Sequence, residues 1–357
     1  MNNEDKITES GVKYFIGYIL DPKSNEIKNT AVISGVKKGS CENVVLPDEL
    51  DGCPVTHVGY YPCWEEYPMQ GDEYLPYRNQ KERDYGVYAR RCTFTLDENL
   101  KSIYISKNVT DISNRTFSEA VGLQKLEVDP ENRVFYSINN CILTRSGNVL
   151  QLGCASSVIP TDDKVTRIGY QAFAGQKTLV NIDIPDNIEV LFPEAFGGNH
   201  NLKSVSLSKN LRVIEREAFF YCTKLEAIEL PSNLRRIESR AFYACSSLAE
   251  LHIPENIVSL GYIGTVGAVY NEVKNGAGII EEQAFAKCES LQQVFLPGTL
   301  KALCWDVFGG CTQLTQIHFD GSIEDWNKIK FEKRIYISNP EITSTVHCTD
   351  GILQVVW

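Results

Sequence analysis

Cysteine is the residue in this sequence whose recurrence most invites chemistry. Cys222, Cys245, Cys288 and Cys311 each close an F-x-x-C frame. A column of thiols at one phase of a repeat could take a metal or cycle between thiol and disulfide. The competing reading is packing, with a small, soft side chain filling a narrow interior position. None of the 12 cysteines forms a C-x-x-C pair, which removes the spacing of a zinc ribbon or a thioredoxin-like centre. Packing is therefore the expectation, with the thiols reduced.

Two further groups hold reactive types. His347, Cys348 and Asp350 are the residues of a Cys–His nucleophile, which needs a base within hydrogen-bond reach of the thiol. Neighbours on an extended segment point to opposite faces, so a structural role is expected. His318 and Asp320 share a strand face by alternation, with His252 near them as a third metal-ligand type, but Phe295 interrupts that column. Dinucleotide-binding, phosphate-loop, zinc-protease and serine-elbow motifs are absent from the chain. The expectation is a protein that is not an enzyme and holds no cofactor and no metal.

Binding has better candidates. Short runs of the form L-x-x-I-x-I recur, and the residue between the last two apolar ones faces solvent. Along the chain this outward row reads Val45, Tyr104, Glu127, Asp183, Ser206, Glu229, His252, Phe295 and His318. The row just before it runs from Asn43 to Gln316. Phe295 flanked by His252 and His318 is the kind of aromatic anchor that interfaces use. A second candidate is an aromatic stretch near 60–94, with Tyr61, Trp64, Tyr67, Tyr74 and Tyr77. Rings of this kind give contact area at low entropic cost, so it could contact a protein or stack on a glycan.

A repeat positions these residues. Ala-Phe pairs recur at Phe173, Phe196, Phe219, Phe242 and Phe285, with variants at Phe117 and Phe308. Successive steps from Phe173 to Phe242 are 23 residues, and the step from Phe285 to Phe308 is 23 again. An apolar pair follows each strand in phase, as in Leu211/Ile214 and Leu234/Ile237. One such unit cannot bury its apolar face alone, whereas stacked units can. The spacing predicts an α/β repeat solenoid of about eight coils, with a parallel sheet on one face and short helical or 3₁₀ turns at Ala-Phe. Its markers are Val58, Ile112, Ile168, Leu191, Ile214, Ile237, Leu260 and Leu303.

The solenoid is expected over 51–319, between a β-rich N-terminal cap over 1–50 and a C-terminal cap over 320–357 anchored by Trp326, Ile329 and Ile337. Insertions are expected near 60–94, 129–158 and 261–279. The second carries Asn139-Asn140 and Ser146-Gly147, turn signals for a hairpin. The third is glycine-rich and returns to phase at Ile280. Hydrophobic residues make up 43% of the chain and charged residues 23%, with a net charge of −11. That composition folds, and its acidity argues against nucleic acid and anionic lipid. No apolar run reaches the length of a membrane helix. A monomer whose partner is a protein is expected. The start of the chain shows no signal peptide, which by itself reads as cytoplasmic.

The pattern L-x-x-I-x-I-P-x-x-V-x-x-I-G-x-x-A-F-x-x-C, which Leu179–Phe196 and Leu225–Cys245 follow, resembles the BspA-like, or treponemal-type, leucine-rich repeats. Asp51–Gly59, Asn132–Gly153, Ile317–Trp326 and Val346–Gly351 resemble the opening coil, irregular hairpin and ending of that family. The resemblance covers most of residues 11–351. It implies a leucine-rich-repeat fold and a bacterial, secreted or surface protein engaged in protein binding and cell adhesion.

Overall fold

The structure, a computed structural model, describes residues 6–20, 27–37, 39, 42–62, 89–91, 99–113, 117, 122–261, 278–332 and 343–356. They fall into two compact units, Met1–Ser137 and Ile138–Trp357.

In the second unit the 23-residue step is a translation. Phe173, Phe196, Phe219, Phe242 and Phe285 are fully buried. Their rings stack face to face with centroid spacings of 5.2, 5.2, 5.0 and 5.0 Å. Phe308 continues the column at 6.3 Å from Phe285. Backbone hydrogen bonds follow the same path. Phe196 N donates to Ala218 O at 2.8 Å, Phe219 N to Ala241 O at 2.7 Å and Phe242 N to Ala284 O at 2.7 Å. A group that lacks a partner in its own repeat therefore finds one in the next.

Most repeats contribute two short strands, where one was expected. The L-x-x-I-x-I strands pair in parallel in two stretches. Asn181–Asp183 pairs with Ser204–Ser206. Glu250–His252, Gln293–Leu296, Gln316–Phe319 and Thr343–Cys348 pair in parallel, and Gly351–Val356 adds an antiparallel fifth strand. Between the two stretches Ser204 and Ala227 make an isolated bridge, so this ladder is interrupted. The longer ladder lies on the apolar pair, read from sequence as the return path. There Arg167–Ile168, Val190–Leu191, Val213–Ile214 and Arg236–Ile237 pair in parallel, with Ile168, Leu191, Ile214 and Ile237 in register. Asn side chains one turn after each outer strand reinforce the stack. Asn210 and Asn233 donate to the carbonyls of Asp186 and Lys209, one repeat back, at 2.8 and 3.0 Å.

The segments from Ala172-Phe173 to Ala284-Phe285 are not helical, contrary to the sequence expectation, whereas the variant Val307-Phe308 does form a 3₁₀ turn. They are chains of tight turns bounded by left-handed residues. Glu194, Glu217 and Arg240 have φ of 53°, 59° and 58°, and Gly198, Tyr221 and Ala244 four residues on have φ of 75°, 56° and 59°. Such φ values break the i to i−4 pattern at both ends and leave too few residues for a helical turn. A single 3₁₀ helix occurs among the described repeats, at Trp305–Phe308, and a single α-helix at Ile323–Lys328. The described residues are strand-rich rather than α/β.

Ile280 returns to phase, but out of order. Its strand, Gly278–Ile280, lies between Arg236–Ile237 and Ile257–Leu260. A Cβ on Gly278 would meet Ile257 Cδ1 at 2.6 Å and the Asn256 and Leu234 carbonyls at 3.1 and 3.2 Å. A larger residue would have to push the Ile257 side chain aside and would crowd both carbonyls. The hairpin read near Asn139 and Gly147 is present, as Cys141–Thr144 antiparallel to Val149–Gly153.

In the first unit Val12–Leu20 pairs antiparallel with Ile27–Val36. Cys53–Val58 joins Ile27–Val36 in parallel, and Asp111–Ile112 joins Cys53–Val58. A second sheet holds Asn43–Val45, Ser102–Ile105 and Lys125–Val128. Of the expected C-terminal anchors, Trp326 and Ile329 are buried, while Ile337 lies outside the described residues.

Removing one ring from the column leaves a void bounded by two rings that cannot close together. Phe219→Ala is expected to cost about 3–5 kcal/mol of unfolding free energy, read by chemical denaturation.

Candidate binding face and buried polar columns

The outward rows form where a strand exposes alternate residues. In the first unit Val45, Tyr104 and Glu127 lie in register on adjacent parallel strands. Val45 is exposed and Tyr104 half-buried. The Tyr104 hydroxyl donates to Asp129 at 3.0 Å, and burial, then that bond, raises its phenol above the usual range. Glu127 pairs with Lys125 on its own strand at 2.8 Å.

In the second unit Asp183 and Ser206 are exposed and in register. Glu229 is exposed but sits outside any strand, where the ladder is interrupted. His252, Phe295 and His318 are in register. The two imidazoles do not merely flank Phe295. Both are stacked on it, at 4.1 and 4.4 Å between centroids and with planes 2° and 11° apart. His347, which sequence reading weighed as a nucleophile partner and placed in the ending but not in this row, extends the column at 5.0 Å from His318. Its strand alternation, Ser344 and Val346 in and Thr345 and His347 toward solvent, was the available signal.

Stacking along the sheet covers the ring faces and turns the ring edges outward. Polar partners fix the tilt. His252 Nε2 lies 2.5 Å from Glu250 Oε1, and His347 Nε2 lies 2.7 Å from Gln316 Oε1. Gln293 donates to the other Glu250 oxygen. The His252 bond holds the Glu250 carboxyl below its ordinary range. Burial, then the neighbouring His347, pulls His318 below the usual histidine value. Among the described residues no group of three or more His, Cys, Asp or Glu is placed to hold a metal. None of the described helices is long and apolar enough to cross a membrane. In the aromatic insertion, Tyr60–Pro62 pairs with Ala89–Arg91, opposing Tyr61 to Arg90. Trp64, Tyr67, Tyr74 and Tyr77 lie outside the described residues.

The cysteine column is a hydrogen-bond column. The thiols of Cys222, Cys245, Cys288 and Cys311 reach the carbonyls of Phe196, Phe219, Phe242 and Phe285, one repeat back, at 3.2–3.4 Å. In the preceding repeat the same position is Asn199, which donates to the Phe173 carbonyl at 2.9 Å. The position needs a compact donor, and Asn or Cys serves. All four cysteines are free. Burial pushes Cys222 up to about 12 and raises Cys245 and Cys288 well above the ordinary thiol value.

A column of glutamates that sequence reading missed lies beside the inner ladder. Glu238 accepts from Arg216 N and Glu281 from Ser239 N, both at 3.1 Å. Glu215 occupies the same phase, but the residue placed to donate to it is Pro193, which has no N–H. Burial, then the Glu238 charge, raises the Glu215 carboxyl to about 7. Sequence reading also missed the aromatic cluster of Phe220, Tyr221 and Tyr243. Phe220 stacks on Tyr243 at 5.4 Å, and Lys287 Nζ sits 5.4 Å from the Tyr243 ring centroid.

Short in-register strands, a stacked phenylalanine column and outward side-chain rows define a leucine-rich-repeat protein. The chain belongs to the BspA-type leucine-rich-repeat family: the model described as BspA type leucine rich repeat region matches it in 6 copies, over residues 88–148, 148–263 and 270–351. Among solved structures, it is similar to a leucine rich cell surface protein from Faecalibacterium prausnitzii, at 18% identity and a TM-score of 0.43. That match covers 82% of this chain, and the chain spans only 64% of that protein's length. It is also similar to the pneumococcal vaccine antigen PcpA, at 13% identity over 95% of this chain and 99% of that one, with a TM-score of 0.50. A leucine rich repeat protein of T. pallidum matches at 16% identity over 90% of this chain and 97% of that one, with a TM-score of 0.33. No curated protein sequence matches the chain.

Two outcomes follow. In native protein at pH 8, iodoacetamide should modify the half-buried Cys53 and leave Cys222, Cys245 and Cys288 intact until denaturant is added, as read by peptide mass mapping. Labelling of the three at the rate of Cys53 would contradict the buried column. For Glu215, the folded-state pKa lies above the unfolded value, so its favourable contribution is complete below about 4.5 and is lost as pH rises through about 7. Glu215→Gln should therefore gain about 1–2 kcal/mol over the native protein at pH 8 and little at pH 4, measured by denaturation at both pH values.

Proposed function

We propose that the chain is a non-catalytic protein-binding scaffold. In this reading the repeats stack as a leucine-rich-repeat solenoid, and the outward strand rows make the contacts. The observation that carries it is the column His252–Phe295–His318–His347, whose rings are locked face to face on adjacent strands. Rings already fixed by their neighbours lose little freedom when a partner docks. The column also offers ring C–H and imidazole N–H edges beside the Gln and Glu side chains, a mixture of apolar and polar contact typical of interface centres. The other columns have structural accounts: the cysteines as hydrogen-bond donors, Glu238 and Glu281 as acceptors for backbone N–H groups. Membership of the BspA-type family adds the expectation of adhesion or contact at a cell surface, and of a secreted or surface location.

Capture with the intact chain, followed by mass spectrometry, names the partner. Phe295→Ala should then weaken its binding by about tenfold or more, as loss of an interface anchor does. Tyr104→Ala tests the row of the first unit in the same way, and circular dichroism checks that both variants stay folded. Unchanged affinity in both variants would exclude these rows as the contact face. Turnover in a broad hydrolase and transferase substrate panel would exclude the non-catalytic reading.

A further inference from the structure

The outward row of the five-stranded sheet does not stop at His347. Its register partner on the last strand is Ile352. That strand, Gly351–Val356, pairs only with Thr343–Cys348 among the described residues. It carries no charged residue and no proline in Gly-Ile-Leu-Gln-Val-Val. Ile352 and Val356 are 62% and 64% exposed. Natural edge strands are commonly protected by lysine, proline, a bulge or a covering loop. The side chains of this one carry no such guard.

We propose that the free edge of Gly351–Val356 is a docking site for the same strand of a second copy, paired antiparallel about a two-fold axis at Gln354. The hydrogen-bonding phase points to this register. Thr349 and Asp350 make a two-residue connection that closes on the pair Cys348 and Gly351, which is therefore a hydrogen-bonded pair. Alternation then directs the N–H and C=O groups of Gly351, Leu353 and Val355 inward and those of Ile352, Gln354 and Val356 to the free edge. A two-fold axis at Gln354 sets Ile352 against Val356 of the second copy, and Gln354 against its own counterpart. All three outward residues then lie in hydrogen-bonded pairs.

Side-chain chemistry selects the same occupant. With this axis the exposed Ile352 covers the exposed Val356, Leu353 faces Val355, and the Gln354 amides meet. Each contact is like with like, and none brings two charges together. The chain as a whole carries a net charge of −11, so an uncharged edge is where two copies approach with least repulsion. The hairpin that presents the edge is fixed at its other end: Ile323 N donates to Asp350 at 2.7 Å, and a Cβ on Gly351 would meet Ile323 Cδ1 at 2.8 Å.

The two-fold axis stands perpendicular to the sheet, so the outward rows of both copies face the same side. A partner with two matching sites would then be held bivalently. Six residues of strand make a small interface, which places the dimer in the weak, transient class.

Sedimentation velocity over a wide concentration range should show the intact protein moving from one chain mass toward twice that mass. Ile352→Lys should raise the dimer dissociation constant by about tenfold, because symmetry places the charge at two positions. Gln354→Pro should abolish the dimer while leaving the hairpin folded, since the backbone N–H it removes points outward and the hairpin itself loses only the exposed side-chain bond to Thr345. Amide exchange reads the register directly. The amides of Ile352, Gln354 and Val356 should become protected as concentration rises, while those of Leu353 and Val355 are protected throughout. A single chain mass at every concentration would overturn the proposal. So would a dimer insensitive to both substitutions, or exchange at Ile352, Gln354 and Val356 that does not depend on concentration.

Discussion

The repeats of this protein depend on one constraint: the polar groups of a turn too tight to satisfy itself must bond across a gap of about 5 Å to the next turn. The Phe N–H groups cross that gap forward to the Ala carbonyls of the next repeat, and the thiols and Asn amides cross it backward to carbonyls of the preceding one. The phenylalanine rings fill the space the crossings enclose, with centroids 5.0–5.2 Å apart from Phe173 to Phe285. Ring spacing and strand spacing agree, so apolar packing and hydrogen bonding are satisfied by one translation.

Variation along the columns makes sense on these terms. Asn199 and Cys222 differ greatly as free side chains, yet both are compact donors aimed at a carbonyl one repeat back. The second left-handed position of the turn accepts Gly198, Tyr221, Ala244 and Lys287. At Tyr221 and Lys287 the less favourable φ accompanies an exposed ring and a half-buried cation, and both belong to the cluster around Tyr243. Glu215 is the complementary case. Its column is built to accept a backbone N–H, and Pro193 removes the donor.

The outer ladder obeys the same rule with different side chains. In-register parallel pairing places each outward residue on its equivalent, so neighbouring aromatic residues stack by geometry alone. His252, Phe295, His318 and His347 become one rigid strip because nothing else can lie between adjacent strands. Where a strand fails to form, as around Glu229, the strip cannot extend. An edge without charge or proline, at Gly351–Val356, is the place where the same pairing can continue into another molecule.

The sequence by itself determined the repeat, its phase and its core. Phenylalanines 23 residues apart and strictly alternating strands leave one way to bury the apolar face, which is why Phe219, Ile214 and the outward position of Phe295 were all legible. It did not determine which short segments become strands or turns. Val213–Ile214 carries too little alternation to read as a strand, and becomes one only because Val190–Leu191 and Arg236–Ile237 lie beside it. The Ala-Phe turns carry helix-compatible residues, but left-handed φ at both ends, set by bonds to the adjacent repeats, excludes a helix. The placement of Gly278–Ile280 out of chain order, the closure of ring faces by stacking and the proline beneath Glu215 are likewise relations between residues a repeat or more apart. Pattern along a chain reports what one segment prefers. Only the folded stack decides what each segment meets.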